Sequence, residues 1–224
     1  MIPPILITGI PRSGTSMTAG IVNLCRAWGG NLAGPNRHNA KGMFENRAIV
    51  NTVLKPFLVS IGADPMGQKP LPDMEIVAAA APIIGPKWRR RIEDIFTEQG
   101  YPGGTWWYKG VKMCLVWPVW ATAFPGTKYM IVRRDREEIA RSCLRTSFMR
   151  AYSGMEGWLG WIAEHERRFE EMREADLDIR EVWSRRIVEG DLSEIRSVID
   201  WLSLDFNEDA IREFVDPKLY SKGE

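Results

Sequence analysis

A glycine-containing turn lies between a short apolar run and an amphipathic segment near the start of the chain. Ile5 to Gly9 are apolar or small, as in a buried parallel strand, and the turn that follows reads GIPRSGTS from Gly9 to Ser16. The apolar residues that come next, from Met17 to Trp28, recur at steps of four, three, one and three, which is helical spacing. A strand, a tight turn and a helix in this order are typical of an α/β fold with a phosphate-binding turn.

The turn has the glycine spacing of a P-loop, GxxxxGK(S/T), in which backbone N–H groups and the positive end of a helix dipole bind a phosphate. Thr15 occupies the place of the usual lysine, and the cation stands inside the loop at Arg12. A nucleoside triphosphatase uses that lysine together with Mg²⁺. The sequence therefore favours a phosphate site that needs no metal, formed by Arg12, Ser13, Gly14, Thr15 and Ser16.

A second cationic segment follows a strand later in the chain. Residues 128–132 predict a strand, and Asp135 with Glu138 forms a capping box that begins the next helix. Arg134 then lies at the carboxyl end of the strand, where open α/β sheets bind ligands. Ser142 comes eight residues after Arg134, about two helical turns further on. Taken alone, this segment is also typical of a solvated turn.

Strands alternate with helices along the rest of the sequence. We therefore expect a mostly parallel central sheet between two layers of helices, a three-layer sandwich in one domain over residues 1–224. Prolines are expected to interrupt the helices in the middle of the chain. The predicted elements are a helix over 49–61 kinked at Pro56, helical pieces over 76–81 and 88–96 separated by Pro82 and Pro86, a strand over 105–108, a helical segment over 114–124, helices over 136–146 and 155–173, a last strand over 186–188, and closing helices over 192–202 and 209–214.

The composition indicates that any anion site must be local. Lys and Arg number 30, and Asp and Glu number 29, so the net charge is +1 at pH 7, and we expect no binding of nucleic acid or of an anionic membrane through overall charge. The three cysteines are widely spaced and are expected to be buried thiols. No apolar stretch has the length of a membrane span, and the first residues lack a basic signal-peptide start. These features predict a cytoplasmic protein and leave its oligomeric state open.

Together the two cationic segments resemble the sulfotransferase family, whose donor is 3′-phosphoadenosine 5′-phosphosulfate (PAPS). The PRSGTS run at 11–16 is similar to that family's 5′-phosphosulfate loop. Arg134 and Ser142 are similar to its 3′-phosphate motif, although Arg136 stands where the motif has a proline. Weaker similarity to bacterial members extends over 39–46, 108–115, 188–192 and 201–204.

The resemblance implies transfer of a sulfuryl group from PAPS to an acceptor hydroxyl, on a carbohydrate or a small molecule, without a metal. The residues of the turn would hold the 5′-phosphate, and Arg12 would stabilise the charge on the departing oxygen. Arg134 and Ser142 would hold the 3′-phosphate. Two other functions are also considered. One is a P-loop-type small-molecule kinase, which needs a lysine where Thr15 stands. The other is a non-catalytic module that binds adenosine bisphosphate or a sulfated glycan.

Candidate residues for the acceptor side lie in two other segments. The resemblance implies Glu45 as the first candidate for the general base, and His38 is the alternative because its ordinary pKa lies near neutrality. Lys109 and Lys112 are candidates to hold the sulfuryl oxygens or an anionic acceptor. The acceptor wall itself is expected in segments 29–47 and 62–104.

Two further expectations concern aromatic and imidazole side chains. Trp28, Trp106 and Trp107 are candidates to stack on adenine or on a sugar ring. His165 has charged neighbours on both sides in a predicted helix, so it is expected on the solvated surface.

Overall fold

Four parallel strands form the centre of the structure, a computed structural model that describes residues 1–37 and 39–220. The strands are β1 (Ile5–Gly9), β2 (Trp107–Lys109), β3 (Lys128–Arg133) and β4 (Asp178–Trp183). Their order across the sheet is β2-β1-β3-β4, and each neighbouring pair is parallel. The carboxyl ends of all four strands therefore meet at one edge of the sheet.

Helices connect the strands and cover both faces of the sheet. In chain order they are α1 (Thr15–Leu24), α2 (Arg47–Ile49), a π-helical segment (Val50–Leu54), α3 (Lys55–Ser60), α4 (Met74–Glu98), a 3₁₀ segment (Met113–Val116), α5 (Trp117–Ala123), α6 (Arg136–Leu144), α7 (Met155–Glu174), α8 (Ser184–Val188), α9 (Ser193–Trp201), α10 (Glu208–Phe214) and a closing 3₁₀ turn (Pro217–Leu219).

Successive residues of the strands point into two separate cores. In β3, Tyr129 and Ile131 pack with apolar residues of the 47–60 helical run and of α4 to α7. Met130 and Val132 pack on the opposite face with α1, α8, α9 and α10. The inner strands are covered on both faces, and for this reason their sequences are continuous apolar runs. The expected α/β fold with a parallel central sheet between helices is confirmed.

Helix α4 continues through both of its prolines, so the predicted break into two pieces is wrong. Pro82 and Pro86 lie on the solvent-exposed side of the helix, where the carbonyl groups that they leave unbonded can be hydrated. The opposite side packs closely on α5: a Cβ added at Gly85 would lie 2.7 Å from Thr122 Cγ2. Tertiary packing along the buried side keeps the helix continuous.

Two other boundaries also differ from the prediction. The last strand is β4, at 178–183, and the predicted strand at 186–188 lies inside helix α8. Strand β4 is an edge strand whose exposed and covered residues alternate, which explains its mixed sequence DIREVW. The first helix ends at Leu24 instead of continuing to Trp28, and Trp28 forms a parallel bridge with Trp106.

Trp106 and Trp107, at the start of β2, are candidates for adenine stacking by sequence, but both belong to the core. Trp106 and Trp107 are almost fully buried, and their indole N–H groups donate to the carbonyl oxygens of Ile2 at 2.9 Å and Ala27 at 3.0 Å. They are therefore not available to stack on a ligand. All three cysteines are free and buried, as expected.

His165 is fully buried in α7, so its expected place on the surface is wrong. Its ring lies 4.1 Å from the Trp161 ring, and Nδ1 lies 2.9 Å from the Trp161 carbonyl oxygen. Burial disfavours the charged imidazolium and lowers the pKa of His165 to about 4. His165 is thus a neutral core residue at pH 7.

None of the helices within the described residues has both the length and the apolar character needed to cross a membrane.

Candidate active site

A cavity of about 470 Å³ opens at the carboxyl edge of the sheet, where β1, β2 and β3 end. This is the edge at which open α/β sheets bind ligands. Residues from seven parts of the chain line the cavity: the turn after β1, the loop before α2, the 47–60 helical run with the loop after it, the end of β2 with the residues after it, the residue after β3, the loop after α6, and the end of the described chain.

The turn after β1 has the backbone of an anion-binding loop. Arg12 has φ 75° and Gly14 has φ 99°, so the chain is left-handed on both sides of Ser13. Gly14 is the N-cap of α1 and has no side chain to bond the first N–H groups of the helix. These N–H groups remain at the positive end of the helix dipole.

Two close approaches explain the glycines of this turn. A Cβ on Gly9 would lie 2.6 Å from the Val132 carbonyl oxygen, and a Cβ on Gly14 would lie 2.7 Å from Ser184 Cβ. Ser13 is fully buried, and its Oγ has no hydrogen-bond partner among the residues that the structure describes. A buried hydroxyl without a partner costs free energy, so this turn fits a phosphate group that would accept a hydrogen bond from it.

The two cationic segments found in the sequence meet in space. Arg12 Nε donates to Ser142 Oγ at 3.0 Å, across 130 positions of the chain. Arg134 Nη1 donates to the Arg12 carbonyl oxygen, also at 3.0 Å. Two guanidinium groups thus line the cavity, one of them bonded to the buried Ser142 hydroxyl, an arrangement that suits an anion with several oxygens.

Ionic and aromatic contacts fix the orientation of the Arg134 guanidinium. Its Nε donates to Glu138 Oε2 at 2.9 Å, and Glu138 Oε1 accepts from Arg185 Nη1 at 2.9 Å. The Tyr220 ring covers the guanidinium at 4.1 Å, and the Tyr220 hydroxyl lies 3.2 Å from Ser184 Oγ. The described chain therefore ends directly over this cation.

A second cluster connects the loop at 39–45 to the turn after β1. Lys109 lies at the end of β2 and donates to Glu45 Oε1 at 2.8 Å, to the Met43 carbonyl oxygen at 3.3 Å and to Ser16 Oγ at 3.4 Å. Only 3% of the Lys109 side chain and 14% of the Glu45 side chain are exposed. This buried ion pair places a carboxylate beside the phosphate turn.

Opposing effects act on the Glu45 carboxyl. Burial acts to raise its pKa, but the positive charges of Lys109, Lys112 and Lys55, with the hydrogen bond from Lys109, outweigh it. The pKa of Glu45 is therefore below its ordinary value, and the group is ionised at neutral pH.

The structure brings together most of the residues that the sequence predicted. Arg12, Ser142 and Arg134 form one cluster, whereas Glu45 and Lys109 form the other. The two arginines, Glu45 and Lys109 line the same cavity, but the hydroxyl residues Ser13 and Ser142 are buried and do not line it. His38 lies outside the described residues, and its role stays a prediction. Trp28 is partly covered and packs on Phe96 and Tyr101, away from the cavity.

The sequence prediction missed several residues that line the cavity. Lys55 and Tyr220 line it, as do Phe148 and Met149 after α6. Lys55 could have been noticed as a lone cation in an apolar run, whereas no sequence signal indicated Tyr220. Of the segments expected to form the acceptor wall, Arg37, the residues 39–45, Met66 and Gln68 line the cavity, whereas no described residue of 69–104 does, and the role of these lining residues toward an acceptor stays a prediction.

The fold and the cavity define a class of protein: the chain has a sulfotransferase-type fold. The sulfotransferase STF9 from Mycobacterium avium superposes with a TM-score of 0.65 at 14% identity over 95% of this chain and 67% of that one. The sulfotransferase domain of the Synechococcus PCC 7002 olefin synthase gives 0.58 at 16% identity over 99% and 86%. The sulfotransferase STF1 from Mycobacterium tuberculosis gives 0.57 at 13% identity over 96% and 71%.

The similarity of the whole chain to these three proteins lies in the fold. No family model matches the sequence, and no curated protein matches it. At these identities the solved structures show the fold, and the chemistry of this chain has to be argued from its own residues.

Proposed function

We infer that the protein is a PAPS-dependent sulfotransferase that transfers a sulfuryl group to a hydroxyl of a carbohydrate or small molecule. The observation that carries this proposal is the contact between Arg12 and Ser142, reinforced by the bond from Arg134 to the Arg12 carbonyl oxygen. The two motifs that resemble the 5′- and 3′-phosphate sites of sulfotransferases come together at one cavity of a sulfotransferase-type fold.

The donor supplies a sulfuryl group whose bond to the bridging oxygen breaks as the bond to the acceptor oxygen forms. The turn from Arg12 to Ser16 binds the 5′-phosphate through backbone N–H groups, hydroxyls and the helix dipole. Arg12 stabilises the negative charge that develops on the departing oxygen. Arg134 and Ser142 bind the 3′-phosphate.

Glu45 is proposed as the group that takes the proton of the acceptor hydroxyl. It lines the cavity, it lies in the same cluster as Ser16 of the phosphate turn, and it is ionised at neutral pH. Lys109 holds the carboxylate in place by an ion pair and a hydrogen bond. The base thus lies at one side of the donor site, with its orientation already fixed.

No metal is assigned a role in this proposal. Within the part of the chain that the structure describes, no three His, Cys, Asp or Glu side chains form a group that could hold a metal ion. The guanidinium and ammonium groups at the cavity are proposed to neutralise the donor's charge, and the donor site without a metal stays a prediction.

Ligand-induced stabilisation tests the proposal against a kinase. Thermal unfolding would be measured with adenosine 3′,5′-bisphosphate and with ATP, each with and without Mg²⁺. Bisphosphate at a hundred times its dissociation constant should add about 2.7 kcal/mol to the unfolding free energy. Stabilisation by ATP with Mg²⁺ but not by the bisphosphate would instead identify a kinase.

Donor consumption over a panel of alcohols and glycans then separates an enzyme from a binding module. We expect release of the bisphosphate together with a sulfated product. Tight bisphosphate binding with no turnover of any acceptor would favour the non-catalytic module.

A further inference from the structure

Lys112 is a largely buried residue at the cavity whose ammonium group has no bonded partner among the described residues. It lies between β2 and the 3₁₀ segment at 113–116, and it is 8% exposed. Its Nζ makes no hydrogen bond and no ion pair with any residue within 1–37 and 39–220. Nζ is not among the buried atoms without a partner, so the ammonium group opens to the cavity, where it fits a lysine that binds an anion from outside the chain.

The acidic groups nearest to Lys112 are already engaged. Glu45 accepts a hydrogen bond from Lys109 at 2.8 Å. Asp64 accepts from three backbone N–H groups of its own loop, at 3.1, 2.8 and 3.4 Å. Lys55 is half-buried and lines the same cavity, so it adds positive charge. Burial lowers the pKa of Lys112. Glu45 acts to raise it, Lys109 and Lys55 lower it further, and Asp64 acts to raise it. The region around Lys112 therefore carries an excess of positive charge.

Lys112 lies on a different side of the cavity from the phosphate turn. Lys109 reaches Ser16 in that turn, whereas the stem of Lys112 lies against Gly67, where an added Cβ would be 2.9 Å from Lys112 Cγ. Among the described residues, Lys112 makes no hydrogen bond with the phosphate turn, whereas Lys109 does. The placement assigns Lys112 to the acceptor side.

The walls beside Lys112 are mostly apolar. Methionine side chains adapt to varied shapes, and aromatic and branched side chains provide flat apolar surface. Gln68 ties the two loops of this wall together, since its side chain donates to the Phe148 carbonyl oxygen at 2.8 Å and accepts from the Arg150 N–H at 2.8 Å. Apolar residues of the cavity on these segments are Val50, Met66, Val111, Phe148 and Met149.

We propose that the acceptor is an apolar hydroxy acid, whose carboxylate binds to Lys112 with Lys55 nearby and whose apolar body lies against the adjoining wall. This inference rests on the proposed sulfotransferase activity and names the class of acceptor. A carboxylate carries the single negative charge that one unpaired ammonium requires. The apolar wall accounts for the rest of the molecule, and Glu45 lines the same cavity as Lys112, so the hydroxyl of the same acceptor can reach the base.

The test measures binding first, so that it does not depend on turnover. The protein would be saturated with adenosine 3′,5′-bisphosphate and titrated calorimetrically with hydroxyphenylpropanoic acid, with an ω-hydroxy fatty acid, and with the methyl ester and primary amide of each. We expect at least one acid to bind about tenfold or more tightly than its own ester and amide, because a charge-assisted bond is lost in both derivatives. Equal binding of acid, ester and amide in both series would overturn the proposal.

Lys112→Met removes the charge and keeps the length of the side chain. This variant should lose the preference for the acid while it binds adenosine 3′,5′-bisphosphate as tightly as the wild type. The matched control is Lys87→Met on the exposed side of α4, which should change neither affinity. If Lys112→Met weakens bisphosphate binding and leaves the preference for the acid intact, Lys112 belongs to the donor site and the inference is wrong.

The same measurements separate this inference from the proposed function. Absence of bisphosphate binding in the wild type would contradict the sulfotransferase proposal and the inference that rests on it. Bisphosphate binding with turnover of neutral alcohols only would contradict the hydroxy-acid inference alone. Should Lys112→Met not fold, the comparison of acid, ester and amide in the wild type still decides the question.

Discussion

Arg12 Nε lies 3.0 Å from Ser142 Oγ and donates a hydrogen bond to it. Arg12 belongs to the turn after β1, and Ser142 belongs to α6, the helix that follows β3. Because β1 and β3 are parallel neighbours, the segments that follow their carboxyl ends begin at the same edge of the sheet. The parallel pairing of β1 and β3 thus places the two short motifs next to each other, where together they can form one anion site.

Arg12→Ala should lower kcat about a hundredfold or more, because a preorganised cation is removed from the oxygen that gains charge in the transition state. The measurement is sulfuryl transfer at saturating donor and acceptor. Arg90→Ala, on the exposed side of α4, serves as the control and should leave kcat unchanged. Undiminished turnover in Arg12→Ala would remove the role assigned to this guanidinium.

Arg134→Ala should mainly weaken donor binding, by about ten- to hundredfold, because a charge-assisted contact to the 3′-phosphate is lost. Adenosine 5′-phosphosulfate, which lacks the 3′-phosphate, is the matched ligand. In the wild type, removing the 3′-phosphate should cost affinity, and in Arg134→Ala that cost should be much smaller. If the cost is the same in both proteins, Arg134 does not bind the 3′-phosphate.

The phosphate turn and the two arginines could be predicted because each motif is local. Gly9 to Ser16 contain a turn and the start of a helix, and Arg134 follows directly from a strand. A local motif next to a strand end has its position in the sheet already determined. Lys112 and Lys55 lie in separate segments, and nothing in either segment specifies that both line one cavity.

Tertiary packing explains the elements that were predicted wrongly. Pro82 and Pro86 are strong helix-breaking signals, but the buried side of α4 carries the apolar contacts that determine the outcome. His165 was misplaced because its neighbours in sequence are charged. The spacing of the buried residues Trp158, Ile162, His165, Phe169 and Met172, in steps of four, three, four and three, shows that His165 lies on the apolar side of α7.

Glu45→Gln should lower kcat by about a hundred- to ten-thousandfold, because the amide cannot accept the acceptor's proton. The pKa of Glu45 is below its ordinary value of 4.5, so the wild-type carboxylate stays ionised as the pH falls from 7 to 5. We therefore expect the kcat of the wild type to stay constant as the pH falls from 7 to 5. A decline centred near the ordinary histidine pKa of about 6.5, absent in His38→Gln, would assign the base to His38 instead.

Lys109→Met should move the acid limb of the kcat profile to higher pH. The ammonium group of Lys109 is a principal influence that holds the pKa of Glu45 down, whereas the burial that raises this pKa remains in the variant. The measurement is kcat against pH in Lys109→Met and in the wild type, with Lys87→Met as the control for the loss of a lysine elsewhere. An unchanged acid limb would show that Glu45 is not the base.

His165 should make the fold less stable as the pH falls below neutrality. Its pKa is lowered from 6.5 to about 4 in the folded protein, so between these values the unfolded chain binds a proton that the folded protein does not. The unfolding free energy should therefore fall by about 2 kcal/mol between pH 7 and pH 5 through this residue alone, a figure obtained from the two pKa values. His165→Leu keeps an apolar side chain on the buried side of α7 and removes the titration. Urea unfolding of both proteins at the two pH values measures the difference, and an equal pH dependence in the two proteins would show that His165 is not buried in its neutral form.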